Sequence, residues 1–277
     1  MRKVRFKTNI DRLKLRCSGG DWLLSELDRD GEIAFGGGLL VCKEKEAYKG
    51  DEAATRKIVA DAYLDGYDSP MMELSIELNH YTHIKVYNRV FYSEGIYHYV
   101  LPMIDELGLK VEAVERVELC LDCNVSLLAR VRKLMKDKDY DMIVNGCKVS
   151  NDEACLMLIC DVSRDRIHTI DGTLYKKNAS GFDLKVYNKI KEIANTGKNY
   201  IAAHNQMGSI MHRLEVGISG QYISRNEDTM QFLYDLFIPQ ERIKKIVSLT
   251  DRVLRFNPRK ASDKKKAQTV SLVDLIY

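Results

Sequence analysis

Apolar and polar residues alternate through the opening segment VRFKTNIDRLKLRC, a period of two that predicts one or two β-strands. A glycine-marked stretch follows, with Gly19, Gly20, Gly31 and the triple Gly36-Gly37-Gly38, and it reads as turns. Glu52 to Tyr63 reads as a short helix or excursion. MMELSIELNHYTHIKVYNRVFY alternates again and is rich in β-branched and aromatic residues, predicting two paired strands. Ile96 to Leu107 has helical spacing, with Val100, Leu101, Ile104 and Leu107 on one side, and Val114 to Leu121 is a strand. Leu127, Leu128, Val131, Leu134 and Met135 recur at steps of three and four, an amphipathic helix with Asn124 or Ser126 as its N-cap.

The second half continues in the same manner. A strand is expected around Ala154 to Cys160. In RIHTIDGTLYKKN the Asp171-Gly172 pair between two extended runs predicts a hairpin. The strand DLKVYNK follows a turn at Asn178 to Gly181, Lys189 to Ala194 begins a helix or loop, and HRLEVGI is a further strand. Met230 to Leu236 and Glu241 to Phe256 are predicted helical.

Two elements recur in the same order. HIKVYNR at His83 to Arg89 resembles DLKVYNK at Asp183 to Lys189, and ERVEL at Glu115 to Leu119 resembles HRLEV at His212 to Val216. The tyrosine-to-glutamate spacings, Tyr87 to Glu118 and Tyr187 to Glu215, are 31 and 28 residues. The period of about 100 residues is too long for a solenoid. The expected fold is α+β: two pseudo-repeated halves of antiparallel sheet with covering helices, and one central composite sheet carrying the site. Residues 1–222 are expected to form the main domain, with halves about 1–125 and 126–222, and 223–277 a helical, basic C-terminal extension.

With 277 residues the chain is long enough for one large domain or two fused halves. The net charge of +3 does not by itself argue for a nucleic-acid partner, but the run from Arg242 to Lys266 carries a large basic excess that attracts phosphates or an anionic membrane surface, unless it is simply a solvated helix and tail. No run of about 18 apolar residues predicts a membrane span. The seven cysteines are odd in number and scattered, and MRKVRFKTNI has no apolar core of a signal peptide, so reduced thiols in the cytoplasm are expected. Cys120 and Cys123 form a CxxC in a strand-like run without a second ligand pair, which disfavours zinc. Gly36-Gly37-Gly38 is no phosphate loop, since no Gly-Lys-Ser/Thr follows.

Chemistry concentrates on the strands. Along Val117 to Asp122, Glu118, Cys120 and Asp122 point away from Val117, Leu119 and Leu121, so two carboxylates are expected on one face, roughly 7 Å apart at Cα. Glu215 faces opposite to Leu214 and Val216; Asp183, Lys185, Tyr187 and Lys189 share a face; Arg116 and Arg213 fall on the carboxylate side. Hard carboxylate oxygens suit Mg²⁺ or Mn²⁺, which polarises a phosphodiester. A tyrosine oxygen can attack phosphorus and retain the bond energy in a phosphotyrosine. Lys185 or Lys189 could stabilise the phosphorane or lower the tyrosine pKa. A plain solvated sheet face would carry the same residue types.

RVELCLD at Arg116 to Asp122, GTLYKKNASGFDLKVYNKIKEI at Gly172 to Ile193 and HRLEVGI at His212 to Ile218 together resemble the replication initiation factor family, which includes Rep_trans-type rolling-circle initiators and related conjugative relaxases. TNIDRLKLRC is similar to that family's first strand, and the resemblance spans roughly residues 5 to 220. It implies a metal-dependent, strand-specific DNA nicking–joining enzyme with Tyr187 as nucleophile and Glu118, Asp122 and Glu215 on Mg²⁺ or Mn²⁺; Lys185 and Lys189 are the expected catalytic lysines from the strand chemistry above. Arg116, Arg213, Lys244, Lys245, Arg259 and Lys260 are the expected DNA-binding residues. The implied partner is a single-stranded or cruciform DNA origin of a plasmid, phage or mobile element; a host helicase and a homodimer are compatible with that role, and no membrane is expected. Glu118 stands where aspartate is more usual, and Cys120 is unusual in the metal strand. Tyr87 is open between core residue, stacking residue and second nucleophile. The competing readings are a non-catalytic DNA-binding or regulatory protein with the same fold, a conjugative relaxase, and a structural protein whose polar face is only solvated.

Overall fold

The computed structural model of the protein describes residues 3–48, 51–144, 146–149, 161–163, 166–168, 174–177, 181–259 and 268–277. In chain order the first half holds β1 (Phe6–Ser18), α1 (Asp21–Asp30), β2 (Glu32–Phe35), β3 (Gly38–Tyr48), β4 (Asp51–Leu64), β5 (Met72–Glu77), β6 (Thr82–Val86), α2 (Asn88–Tyr92), α3 (Val100–Glu106) and β7 (Lys110–Cys123). The second half holds α4 (Leu127–Met135), β8 (Tyr140–Val144), β9 (Cys147–Lys148), β10 (Asp161–Ser163), β11 (Arg166–His168), β12 (Leu174–Lys177), β13 (Phe182–Asn188), α5 (Lys189–Thr196), α6 (Asn199–Asn205) and β14 (His212–Ser219). It ends with α7 (Gly220–Asn226), α8 (Thr229–Phe237), α9 (Pro239–Val253), β15 (Leu254–Pro258) and β16 (Val270–Ser271). Helix and antiparallel sheet are mixed throughout, as the expected α+β class requires. Among the described residues no helix is long and apolar enough to cross a membrane.

The chain forms two compact units. One comprises Ile10–Val117 and Ser219–Phe237; the other comprises Met1–Asn9, Glu118–Ile218 and Ile238–Tyr277. In the first, the strand order β1-β6-β5-β4-β3-β2 is antiparallel at every step. Its apolar face follows from strand alternation: Leu13, Leu15 and Cys17 on β1, Ile58, Ala60 and Ala62 on β4, and Met72, Leu74 and Ile76 on β5 are all buried. α1 packs on β4 and β5 through Leu23, Leu24 and Leu27. Burying each such leucine contributes about 1.5–3 kcal/mol. The β2–β3 hairpin turns at Phe35–Gly38, where a Cβ on Gly38 would lie 2.0 Å from the Tyr63 carbonyl oxygen, so only glycine fits.

In the second unit β12-β13-β14 are neighbours, with β7 beside β14. α4 packs on β13 and β8 with Leu127, Leu128, Val131 and Met135 buried. A smaller sheet has the order β16-β15-β8-β9, and α9 packs against it.

Several expectations are corrected. Glu52 to Tyr63 is not a helix: it lies within β4, because Ile58, Ala60 and Ala62 repeat every second residue and the backbone pairs with both β3 and β5. The stretch after Gly19 is not all turn. Leu23, Leu24 and Leu27 make α1, and Gly31, at φ 77°, closes it by donating its N–H to the Leu27 carbonyl. The alternation through KVYNRVFY ends at Val86, and Asn88–Tyr92 is helical. The last helix stops at Val253; Leu254 and Phe256 alternate into β15, which pairs with β8, so the C-terminal segment is not wholly helical. Ser126 precedes α4 without a side-chain cap, and Asn124 instead accepts from the Arg5 N–H at 2.8 Å and donates to the Lys3 carbonyl at 2.9 Å. The strand expected at Ala154 to Cys160 and the Asp171-Gly172 turn lie outside the described residues; β11 pairs with β10, and β12 with β13.

Candidate active site

The Tyr-Asn-Lys motif is a strand end joined to a helix start. Tyr187 is the penultimate residue of β13, and Asn188 caps α5 by accepting from the Lys191 N–H at 3.2 Å. That turn of chain brings Lys189, the first residue of α5, back toward its neighbour: its Nζ lies 3.5 Å from Tyr187 Oη. β13 and β14 pair so that Tyr187 lies opposite Arg213, and Lys185 opposite Glu215. The result is a tight constellation. Tyr187 Oη donates to Glu215 Oε2 at 2.9 Å, and Lys185 Nζ donates to Glu215 Oε1 at 2.7 Å. Lys189 also pairs with Glu192 at 2.7 Å.

This face is not the solvated one a polar strand suggests. Glu215 is 3% exposed and Lys189 1%, whereas Lys185 and Tyr187 remain partly open. Burial works against the charge on Lys185, but Glu215 beside it, reinforced by Glu118 and Asp183, outweighs this and raises its pKa. Lys185 therefore stays a cation at neutral pH and keeps Glu215 paired.

Asp122 has a different place from the one expected. Its Oδ1 accepts from Arg213 Nε and its Oδ2 from Arg213 Nη2, both at 2.7 Å, and Asn205 Nδ2 donates to Oδ2 at 2.7 Å. Arg213 is fully buried. Its guanidinium is held in the interior by Asp122. Glu118 and Asp122 are four residues apart on β7, about 13 Å at the rise of a strand, not the roughly 7 Å of next neighbours on a face. Among the described residues no three His, Cys, Asp or Glu side chains gather as a metal cage requires. Asp122, committed at both oxygens, does not fit with Glu118 and Glu215 as a single ligand set for Mg²⁺ or Mn²⁺.

The remaining expected residues are dispersed. Arg116 is half-buried on β7. Lys244 is exposed on α9 and pairs with Glu241 at 2.6 Å, and Lys245 is half-buried on the same helix. Arg259 is tied to Asp141 at 2.7 Å and to the Tyr140 carbonyl at 3.1 Å, and Lys260 lies outside the described residues. Cys120 and Cys123 are buried and in no disulfide, and burial pushes the Cys123 thiol up to about 11.

The repeated tyrosine differs from Tyr187. Tyr87 Oη donates to Asp61 at 2.8 Å and Glu73 at 3.1 Å, with Lys43 at 3.4 Å. Its acceptors come from β4 and β5, which precede it, whereas Glu215 follows Tyr187; Asn88 reaches the Asp11 carbonyl at 2.7 Å instead of capping α2. Burial, then the bond to Asp61, raises the Tyr87 pKa well above the usual tyrosine range, although Lys43 opposes this. Sequence reasoning missed Asp61, Glu73, Lys43 and Asn205. An acid inside the buried-alternation segment IVADAY was a usable signal for Asp61, while nothing local marks Asn205.

His212, at the start of β14, has a buried Nδ1 without a hydrogen-bond partner, and burial lowers its pKa. Its stabilising neutral form is fully present above about pH 6.5 and is lost as pH falls through the lower folded pKa. Thermal melts between pH 8 and 5 are expected to show an acid-side loss of stability that His212→Asn reduces.

No protein-family model matches the chain, and no curated protein matches it. Among solved structures it is similar to one described as a rolling circle replication initiator protein from Geobacillus stearothermophilus, at 14% identity over 98% of this chain and 96% of that chain, with a TM-score of 0.48.

Proposed function

We propose that the protein is a DNA nicking–joining enzyme that initiates rolling-circle replication, with Tyr187 as its nucleophile. The observation that carries this reading is the Tyr187–Glu215 hydrogen bond with Lys185 on the other carboxylate oxygen and Lys189 beside the phenol. A phenol donating to a carboxylate, with that carboxylate oriented by a third group, is the arrangement of a nucleophile with its base. The order of the three motifs resembling replication initiators supports the same reaction.

In the step, Tyr187 Oη attacks phosphorus and its proton passes to Glu215. An O–P bond forms to the tyrosine as the bond from phosphorus to the 3′ oxygen breaks, and that oxygen takes a proton and leaves as a 3′-hydroxyl. Lys189 is placed to stabilise charge on the pentacovalent centre. Because the phosphotyrosine keeps the energy of the broken ester, attack by a 3′-hydroxyl reverses the step and rejoins the strand.

The test is a covalent adduct. Purified protein incubated with a randomised single-stranded DNA pool should yield a species that survives denaturing electrophoresis, with peptide mass analysis placing the nucleotide on Tyr187. Salt-sensitive DNA binding without any adduct would replace this reading with that of a non-catalytic DNA-binding protein.

A further inference from the structure

A second polar surface lies wholly in the unit comprising Ile10–Val117 and Ser219–Phe237 and shares no residue with the tyrosine constellation. On β1, Leu13, Leu15 and Cys17 are buried, so Lys14 and Arg16 project from the opposite face. The β1–β6 register sets Lys14 directly opposite Lys85 and Arg16 opposite His83. Like charges directly opposite each other on a sheet are destabilising. Lys85 is answered across its other edge by Glu73 on β5, whereas Lys14 is not.

The local acids relieve it only in part. Glu73 pairs with Lys85 at 3.2 Å and Glu115 with His83 at 2.9 Å. Both acids are thereby engaged, while the Lys14 side chain has no hydrogen bond or ion pair among the described residues. Arg16 stacks its guanidinium 4.5 Å over the Tyr81 ring, and its Nε is buried without a partner. Lys14, Ser75, His83 and Lys85 line a groove of about 270 Å³ on this face together with Glu73 and Glu115, the two acids already paired with Lys85 and His83.

We propose that this face is a binding track for single-stranded nucleic acid, with Lys14 and Arg16 on successive phosphates and Tyr81 stacking an unpaired base. Side chains two apart on a strand are about 6.6–6.8 Å apart, close to the step between phosphates of an extended single strand. Tyr81 is 45% exposed beside Arg16, and an aromatic ring next to a basic groove is a platform for an unpaired base. A duplex has its base faces stacked internally and gains nothing from that ring. The inference is independent of nicking at Tyr187.

The test measures fluorescence anisotropy of a labelled mixed-sequence single strand with the full chain carrying Tyr187→Phe, across a sodium chloride series. Lys14→Gln with Arg16→Gln should weaken binding several-fold and reduce the magnitude of the salt slope by about 1.4, the value for two phosphate contacts on a single strand. Tyr81→Ala should weaken single-strand binding while leaving the salt slope in place. Lys14→Gln alone changes an exposed side chain and keeps the test readable if the Arg16 variant fails to fold. Unchanged affinity in these variants, or competition by duplex DNA or heparin equal to that of single strand, would overturn the proposal. Binding through this track by the Tyr187→Phe chain, with no adduct formed by the unsubstituted protein on the same strand, would refute the nicking reading and leave the track standing.

Discussion

Tyr187→Phe is expected to abolish the covalent protein–DNA adduct, and Tyr87→Phe to leave it in place. The two tyrosines share the local sequence KVYN, so the contrast tests their surroundings and not their motif. An attacking phenol must lose its proton. At Tyr87 the proton bridges toward Asp61 and Glu73, and burial together with these acids raises its pKa; a phenolate there would face two carboxylates. At Tyr187 one carboxylate receives the proton, its charge already balanced by Lys185, and Lys189 stands 3.5 Å from the oxygen that must become anionic. Removing a covalent nucleophile should lower adduct formation on the order of 10⁴-fold or more, read as labelled DNA retained by protein on a denaturing gel. Tyr87→Phe should retain the adduct at a comparable rate. An adduct mapped to the Tyr87 peptide, or one surviving Tyr187→Phe, would defeat the assignment.

The strand that carries Tyr187 was legible because its signals are local. Phe182, Leu184 and Val186 alternate with Asp183, Lys185 and Tyr187, and Asn188 is a helix cap by residue type. The facing of Glu215 follows from the same alternation. What alternation does not give is the depth of that face or the partner across the sheet. The register that sets Lys185 opposite Glu215 and Tyr187 opposite Arg213 is a non-local pairing. So is the contact from Asn205, 83 residues from Asp122, which turns an expected metal ligand into half of a buried ion pair. The β4 and α1 errors have another cause: short apolar runs rich in alanine or leucine suit either period, and pairing with two neighbouring strands decides for β4. The repeat illustrates the same limit. Identical tetrapeptides place two tyrosines at strand ends, yet the acids that accept their hydrogen bonds come from different positions in the strand order.

Asp122→Ala or Arg213→Ala is expected to be among the most destabilising single changes in the unit that carries Tyr187. Both side chains are essentially without solvent, and both carboxylate oxygens are bonded. Removing one partner strands the other's charge in the interior, which costs about 3–5 kcal/mol, or a fall in Tm on the order of 10 °C. The sign separates a strut from a metal ligand. A carboxylate held near other acids only to bind a cation is a source of repulsion when the cation is absent, so its loss would raise stability in chelator. A carboxylate clasped by Arg213 and Asn205 must lower stability in chelator as well. Because the net gain from a buried ion pair over apolar packing is small, the joint replacement Asp122→Leu with Arg213→Met should recover most of what either alanine loses. Thermal melts in EDTA of the single and double variants decide the matter. A stabilised Asp122→Ala would return this residue to the metal role, whereas loss in the single variants and recovery in the double would establish that the pair ties β7 to β14, the strand that carries Glu215.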